Sequence, residues 1–194
     1  EGRAEDALNI ILEKNALPFT TGTLCPHTCA TKCMRNHYES PLRIREVKLM
    51  AAEAAYDKVL PTLKGAAATG KKVAVIGGGP AGLAAASFLS RAGVDVTVFE
   101  KNGKMGGVPR YVIPGFRIGD DAIDKDVALC SAYGAKMVTG REIKSVKELK
   151  DEGFSDIIIA IGAWAPGRKA LKYGDEIDAL EFLEAVKAAP GSVE

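Results

Sequence analysis

The sequence predicts an α/β chain: a Rossmann-like parallel sheet with covering helices, preceded by a small α-helical unit. Three observations lead there. From residue 72 onward, short β-branched runs alternate with helical patterns, the order that builds a parallel sheet. The uncharged stretch VAVIGGGPAGLAAASFLS at 73–90 has three Gly and a Pro at its centre and reads as strand, turn and helix. The first 60 residues carry helical spacings and three closely set cysteines, with no strand pattern.

In chain order, Ala7, Leu8, Ile11 and Leu12 have helical spacing within residues 5–14, ended by Asn15 and Pro18. Residues 19–41 read as irregular. Apolar positions from Ile44 to Leu60 predict a helix stopped by Pro61, and KGAAATGKK reads as a linker with a boundary near residue 68. The expected units are 1–68, helical, and 69–194, Rossmann. Within the second, Lys72–Ile76 is a strand, Pro80–Ala92 a helix with Pro in its first turn, and Val94–Phe99 a strand. A Gly- and Pro-rich loop covers 101–118. Asp120–Tyr133 is a helix, Lys136–Thr139 a strand and Ser145–Lys150 a short helix. Asp156–Ile161 has the apolar run of a buried parallel strand, and Ile177–Ala188 is a last helix.

Composition narrows the function classes. The 194 residues hold 26 basic and 25 acidic side chains, so no basic field recommends nucleic acid as a partner. Hydrophobic residues at 47% supply a core. The first 18 residues are charged and lack the apolar region of a signal peptide, and the broken 73–90 stretch argues against membrane insertion. Three clustered cysteines and a distant Cys130 do not form a secreted disulfide pattern. They point to a reducing, cytoplasmic setting and to metal or redox chemistry. A chain beginning at Glu1 reads as a piece of a longer protein.

The sharpest motif is Gly77, Gly79 and Gly82 in G-x-G-x-x-G spacing between a strand and a helix. Gly77 permits the turn, Gly79 lets backbone approach a pyrophosphate, and Gly82 lets the helix pack on the sheet. Pro80 and Ala81 open the helix, whose N-terminal amides and dipole favour phosphate. Glu100 ends the second strand 18 residues past Gly82. A carboxylate there accepts ribose hydroxyls and repels a 2′-phosphate, so the nucleotide in this turn is not NADP.

The residues that follow resemble a known family. Glu100-Lys101, Gly106-Gly107 and Ile113-Pro114-Gly115-Phe116-Arg117 are similar to the flavin-binding segment of the glutamate synthase small-subunit family, FAD and iron–sulfur oxidoreductases that include the N-terminal half of dihydropyrimidine dehydrogenase. Residues 157–167, IIIAIGAWAPG, resemble its A-T-G-A strand end, with Ile161 in place of Thr. The resemblance implies FAD, with its adenosine at Glu100, Lys101 and Ile143, its pyrophosphate on the first turn, and the flavin end near Gly106, Gly107 and Val108. Ala160 and Gly162 would contribute backbone contacts. Arg117 would lie near the cofactor, or else anchor its loop by a salt bridge.

Cys25, Cys29 and Cys33 fall at four-residue steps. On a helix they would share a face, and in a loop they could wrap a cluster; iron–sulfur ligation, zinc and plain buried thiols all remain open on spacing alone. Residues 15–53 resemble the same family's helical iron–sulfur domain, and the compact cysteine spacing and I-R-E-x-K helix resemble in particular a selenate-reductase type of flavoprotein subunit. That implies 4Fe–4S clusters. The family uses further upstream cysteines, and none lies between residues 1 and 24, so the ligand set is expected to be incomplete here. Some relatives add an acidic or amide ligand from the next helix. Lys48 occupies that place, and Glu46 is the substitute candidate. Cys130 reads as a buried small hydrophobe, and Trp164 as a surface anchor of its loop.

The resemblance implies an electron-transfer flavoprotein piece, in which hydride from NADPH, bound by a domain absent from this chain, reaches FAD and leaves as single electrons through the clusters. Its partners would be the remaining domains or subunits of the parent enzyme. Two other readings stay beside it. One is a non-catalytic nucleotide-binding or docking module. The other is an NAD-dependent dehydrogenase, which leaves Gly106-Gly107 unexplained.

Overall fold

The computed structural model describes residues 2–163 and 178–189. The helical part comprises α1 (Ala4–Leu12), α2 (Pro18–Leu24) and α3 (Ile44–Val59). Two 3-10 turns, Thr28–Lys32 and Met34–His37, lie between α2 and α3. The α/β part follows as β1 (Lys72–Ile76), α4 (Pro80–Arg91), β2 (Asp95–Phe99), α5 (Val108–Tyr111), α6 (Asp120–Ala132), β3 (Lys136–Val138), α7 (Val146–Asp151), β4 (Asp156–Ile159) and α8 (Ala179–Ala188). The α/β expectation holds.

The four strands are parallel in the order β3-β2-β1-β4. Alternation sends Val75, Val96 and Val98 to one face, where they pack with Leu83 and Ala86 of α4 and Cys130 of α6. Ala74 and Phe99 face the other way, against Leu149 and Phe154. Each fully buried Leu or Val contributes about 1.5–3 kcal/mol relative to exposure.

Several expectations are corrected. α1 ends at Leu12, ahead of Asn15 and Pro18, and Pro18 opens α2, which runs into the stretch 19–41 read as irregular. Proline suits the first helical position, and a Cβ on Gly22 would come within 2.9 Å of Leu49 Cβ, so glycine lets α2 lie against α3. The loop 101–118 contains the single turn α5. The segment read as a linker packs: Ala66 and Thr69 donate to the carbonyls of Arg91 and Gly93 at 3.0 and 2.9 Å. The run Asp156–Ile161 is an edge strand among the described residues rather than a buried one, and Ile159 is 63% exposed. Apolar runs fit a buried strand and an uncovered edge equally well. Trp164, and Ile177 at the start of the last helix, lie outside the described residues.

The helical and α/β parts share their cores. Leu129 of α6 sits in the cluster of Leu8, Leu12, Phe19, Ala52 and Val59, while Ala16 and Leu17 sit in the cluster beneath the sheet.

Candidate cofactor-binding site

The carboxyl ends of β1, β2 and β4 open into a cleft of about 600 Å³. Gly77, at φ +107, turns the chain out of β1; a Cβ there would stand 2.4 Å from the Ala160 carbonyl oxygen. A Cβ on Gly82 would stand 1.9 Å from the Gly77 oxygen, so this glycine sets how closely α4 approaches the turn. Gly79 differs. The nearest protein atom to a Cβ there is Gly107 Cα at 3.7 Å, an ordinary contact, and Gly79 lines the cleft. Protein packing does not require this glycine, and a side chain would take cleft space. By helix geometry the amides of Ala81 and Gly82 have no intrahelical acceptor, so they and the helix dipole suit a phosphate.

Glu100 forms the floor. It is 6% exposed, its Oε2 accepts from the Gly78 N–H at 2.7 Å, and its Oε1 accepts from the Asn102 N–H at 2.9 Å. Each oxygen keeps lone-pair capacity for a ribose hydroxyl. Beyond it, Arg141 donates its N–H to the Glu100 carbonyl at 2.9 Å and Gly140 to that of Asn102 at 2.9 Å. This holds 141–143 against the cleft. The Arg141 guanidinium pairs with Glu152 and lies 4.7 Å from the Phe99 ring centroid.

The opposite wall is the Gly106-Gly107 loop. Gly106 donates to the Gly78 carbonyl at 2.8 Å. Gly107 has φ +57, and a Cβ on it would lie 2.8 Å from Gly79 Cα. Behind the loop is Arg110, 4% exposed, whose Nε donates to the Met105 carbonyl and whose guanidinium pairs with Asp120 at 3.0 Å and with Asp124. Lys187 of α8 donates to the carbonyls of Pro109 and Ile113 at 3.1 and 2.6 Å.

Gly77, Gly79, Pro80, Ala81, Glu100, Lys101, Gly107, Val108, Ile143, Ala160 and Gly162 therefore line one cleft. Gly82, Gly106 and Arg117 do not. Gly82 faces the turn backbone, Gly106 at φ +132 faces Arg110 and Ile123, and Arg117 is exposed in a turn closed by its N–H to Pro114 O. Asn102, Arg141, Glu142 and Ile161 are lining residues that the motifs missed. The glycine pattern carries no signal for them: the bonds of Gly140 and Arg141 to Asn102 and Glu100 bring Asn102, Arg141 and Glu142 there, and the β1–β4 pairing brings Ile161, which the strand-end motif includes without assigning it a contact.

The cysteines occupy three backbone settings. Cys25 closes α2, Cys29 lies in a 3-10 turn, and Cys33 is extended between turns. Four-residue steps therefore do not stack on one face. Cys29 is exposed and the other two are half-exposed. Backbone N–H groups of Leu42 and Arg35 hold the Cys33 thiol below its ordinary range. Glu46 pairs with Arg45 at 3.3 Å, and its own backbone N–H is the main cause of its lowered carboxyl pKa. Among the described residues, no three His, Cys, Asp or Glu side chains gather as a metal site. Cys130 cannot complete the set: it is buried in the core, its Sγ donates to Ala16 O at 3.5 Å, and burial pushes its thiol up to about 12. The glycine cradle and Glu100 fit a dinucleotide; the cysteines supply three sulfur donors and no assembled cluster site.

The fold and cleft define a dinucleotide-binding α/β chain carrying a cysteine-bearing helical unit. Comparison with known proteins agrees. Residues 75–121 match the NAD(P)-binding Rossmann-like domain family, and residues 1–59 match the family described as dihydropyrimidine dehydrogenase domain II, 4Fe-4S cluster. The chain is a homologue of named oxidoreductases. It is 43% identical over 165 residues to YgfK of Escherichia coli (strain K12), whose name assigns it only to the oxidoreductases, covering 84% of this chain and 16% of that protein. It is 35% identical over 181 residues to the glutamate synthase (NADPH) small chain of Mycobacterium tuberculosis (strain H37Rv), covering 87% and 36%. It is 35% identical over 180 residues to the glutamate synthase (NADH) of Saccharomyces cerevisiae, covering 91% and 8%. The chain thus spans about a third or less of the length of each of these relatives. Among the described residues, no helix is long and apolar enough to cross a membrane.

Proposed function

We propose that this chain is part of the electron-input segment of a cytoplasmic NAD(P)H-dependent flavin and iron–sulfur oxidoreductase of the glutamate synthase small-chain type. The observation that carries the proposal is the Gly77–Gly82 turn pinned onto Glu100, with Gly107 closing the same cleft. FAD is the assigned occupant. Glu100, Lys101 and Ile143 take the adenosine side, the amides of Ala81 and Gly82 take the pyrophosphate, and Gly107 and Val108 face the flavin side. The bound flavin supplies the conversion between two-electron and one-electron transfer. The chain's own residues bind, orient and exclude water; no side chain in the cleft is assigned a proton-transfer role.

The cysteine unit supports the second half of the reading. Cys25, Cys29 and Cys33, with Glu46 as the candidate fourth donor, would contribute to a cluster ligand set completed by other parts of the parent protein. The single G-x-G-x-x-G turn is taken by FAD, so NADPH is assigned to another part of the parent, and the remaining domains or subunits of that enzyme are the expected partners.

The test is titration of the full 194-residue chain with FAD, followed by flavin fluorescence, on protein prepared without oxygen. Weak but saturable binding is expected, weakened at least tenfold by Gly79→Val, with no turnover of NADPH against a dye. Binding that Gly79→Val leaves intact would remove FAD from this cleft. A chain that binds no flavin at all favours the non-catalytic docking module.

A further inference from the structure

The corner between α1 and α2, residues 12–20, is gripped from outside its own unit at both helix ends. Arg91, the last residue of α4, donates from Nη1 to Leu12 O at 3.0 Å and from Nη2 to Glu13 O at 3.2 Å, the terminal carbonyls of α1. Asp126 of α6 is 0% exposed, and its two oxygens accept from the Phe19 and Thr20 N–H groups at 3.0 and 2.6 Å, the first amides of α2. The cation meets the negative end of one helix dipole and the anion meets the positive end of the next. Between them, the Cys130 Sγ donates to Ala16 O. Lys125 sits 5.2 Å from the Phe19 ring centroid, and Phe19 meets Tyr56 edge to face at 5.5 Å.

A buried carboxylate whose partners are amides more than a hundred residues away is costly unless both bonds are made. The opposite ends of the two elements involved matter too. The first turn of α4 forms the wall of the cofactor cleft and its last residue holds α1. The held helix α2 ends directly at Cys25.

We propose that Asp126 and Arg91 are positioning residues: they clamp the α1–α2 corner at its two helix ends and so fix the cysteine-bearing segment at a set place on the cofactor-binding unit. The clamp stands on its own contacts. Its use, holding a fixed distance between two redox groups, rests on the function proposed above.

Hydrogen exchange by mass spectrometry on the full chain tests it, with Asp126→Asn and Arg91→Met as separate variants. Asn keeps the shape but offers a single acceptor oxygen, and Met keeps the apolar stem without the guanidinium. Each variant is expected to raise exchange in residues 12–24 at least tenfold while residues 72–99 stay within twofold of the parent chain. Arg91→Lys, which retains one cationic donor, is expected to restore part of the protection. Exchange in 12–24 unchanged in both variants, or raised equally across 72–99, overturns the clamp; the second result would mean ordinary core stabilisation. Should Asp126→Asn fail to fold, Arg91→Met decides alone. FAD affinity measured on the same samples keeps the two readings apart: an absent flavin signal counts against the cofactor, and the exchange pattern still judges the clamp.

Discussion

At the scale of single residues, the three motif glycines are not equivalent. A Cβ on Gly82 collides with the Gly77 oxygen, whereas one on Gly79 meets nothing closer than 3.7 Å. Gly82→Ala is therefore expected to destabilise the chain by about 2 kcal/mol or more, as overpacking does. Gly79→Ala is expected to leave urea unfolding within about 0.5 kcal/mol while lowering FAD affinity. Comparing the two by urea unfolding and flavin titration checks both; a Gly82→Ala protein as stable as the parent would refute the close-approach account. Glu100 is the second decisive residue. Its two carboxyl oxygens accept from two backbone N–H groups, and Glu100→Gln keeps only one acceptor oxygen, at an expected cost of roughly 2 kcal/mol. The motif points Glu100 at a ribose; what the structure shows is that its Oε2 pins the glycine turn through the Gly78 N–H.

At the scale of elements, the contact between α2 and α6 should leave a pH signature. Burial is the main cause that raises the Asp126 carboxyl to about 6, against smaller lowering effects of the Thr20 hydroxyl and the Thr20 and Phe19 amides. Tyr56, Lys125 and Cys130 are the neighbouring titratable groups; Tyr56 is itself raised by burial and by Asp57 and Asp126. Because the folded value lies above the unfolded one, this group's contribution is fully present below about pH 4 and is lost as pH rises through about 6. The rise is worth about 3 kcal/mol. Urea unfolding at pH 4.5 and pH 7.5 should show Asp126→Asn lacking most of that loss; equal pH slopes in the two proteins would rule it out. In α5, Arg110 holds the Met105 carbonyl and two exposed aspartates. Arg110→Met leaves the Met105 carbonyl unpaired, is expected to cost about 1–3 kcal/mol and to loosen the Gly106-Gly107 wall, read as a lower FAD affinity.

At the scale of the molecule, two features follow from the shared cores and the open sheet edge. Leu129 packs with α1 and α3, and Ala16 and Leu17 pack under the sheet, so the helical and α/β parts should unfold in one cooperative transition. Separate melting of far-ultraviolet signals from the two parts would contradict this. Among the described residues β4 pairs on one side only, with β1, and its Ile159 is 63% exposed. An apolar edge strand is a template for pairing with another chain. Ile159→Lys is expected to reduce self-association of the chain at high concentration, seen by sedimentation, with little change in thermal midpoint.

Much of this was legible in local pattern. The run KVAVI, the glycine spacing with Pro80 and the Glu at the end of β2 each act through backbone conformation or side-chain alternation, which neighbours in the chain determine. That is why β1, α4 and β2 were readable almost to the residue, along with most of the cleft. Other features depended on contacts distant in sequence. Helix α2 exists where turn residues and a proline read as irregular, because Gly22 admits Leu49 and Asp126 satisfies its first amides. Residues 141–143 reach the cleft through the bonds of Gly140 and Arg141 to Asn102 and Glu100, and Gly106 turns inward because Arg110 and Ile123 lie behind it. The sequence by itself determined the glycine turn, the order of strands and helices from β1 onward apart from the single turn α5, and the cysteine content. Only the tertiary structure decided that the helical unit is clamped to the α/β unit, that β4 is an edge among the described residues, and that the three cysteines take three different backbone settings, because each depends on which distant groups meet a backbone amide, a carbonyl or a strand edge.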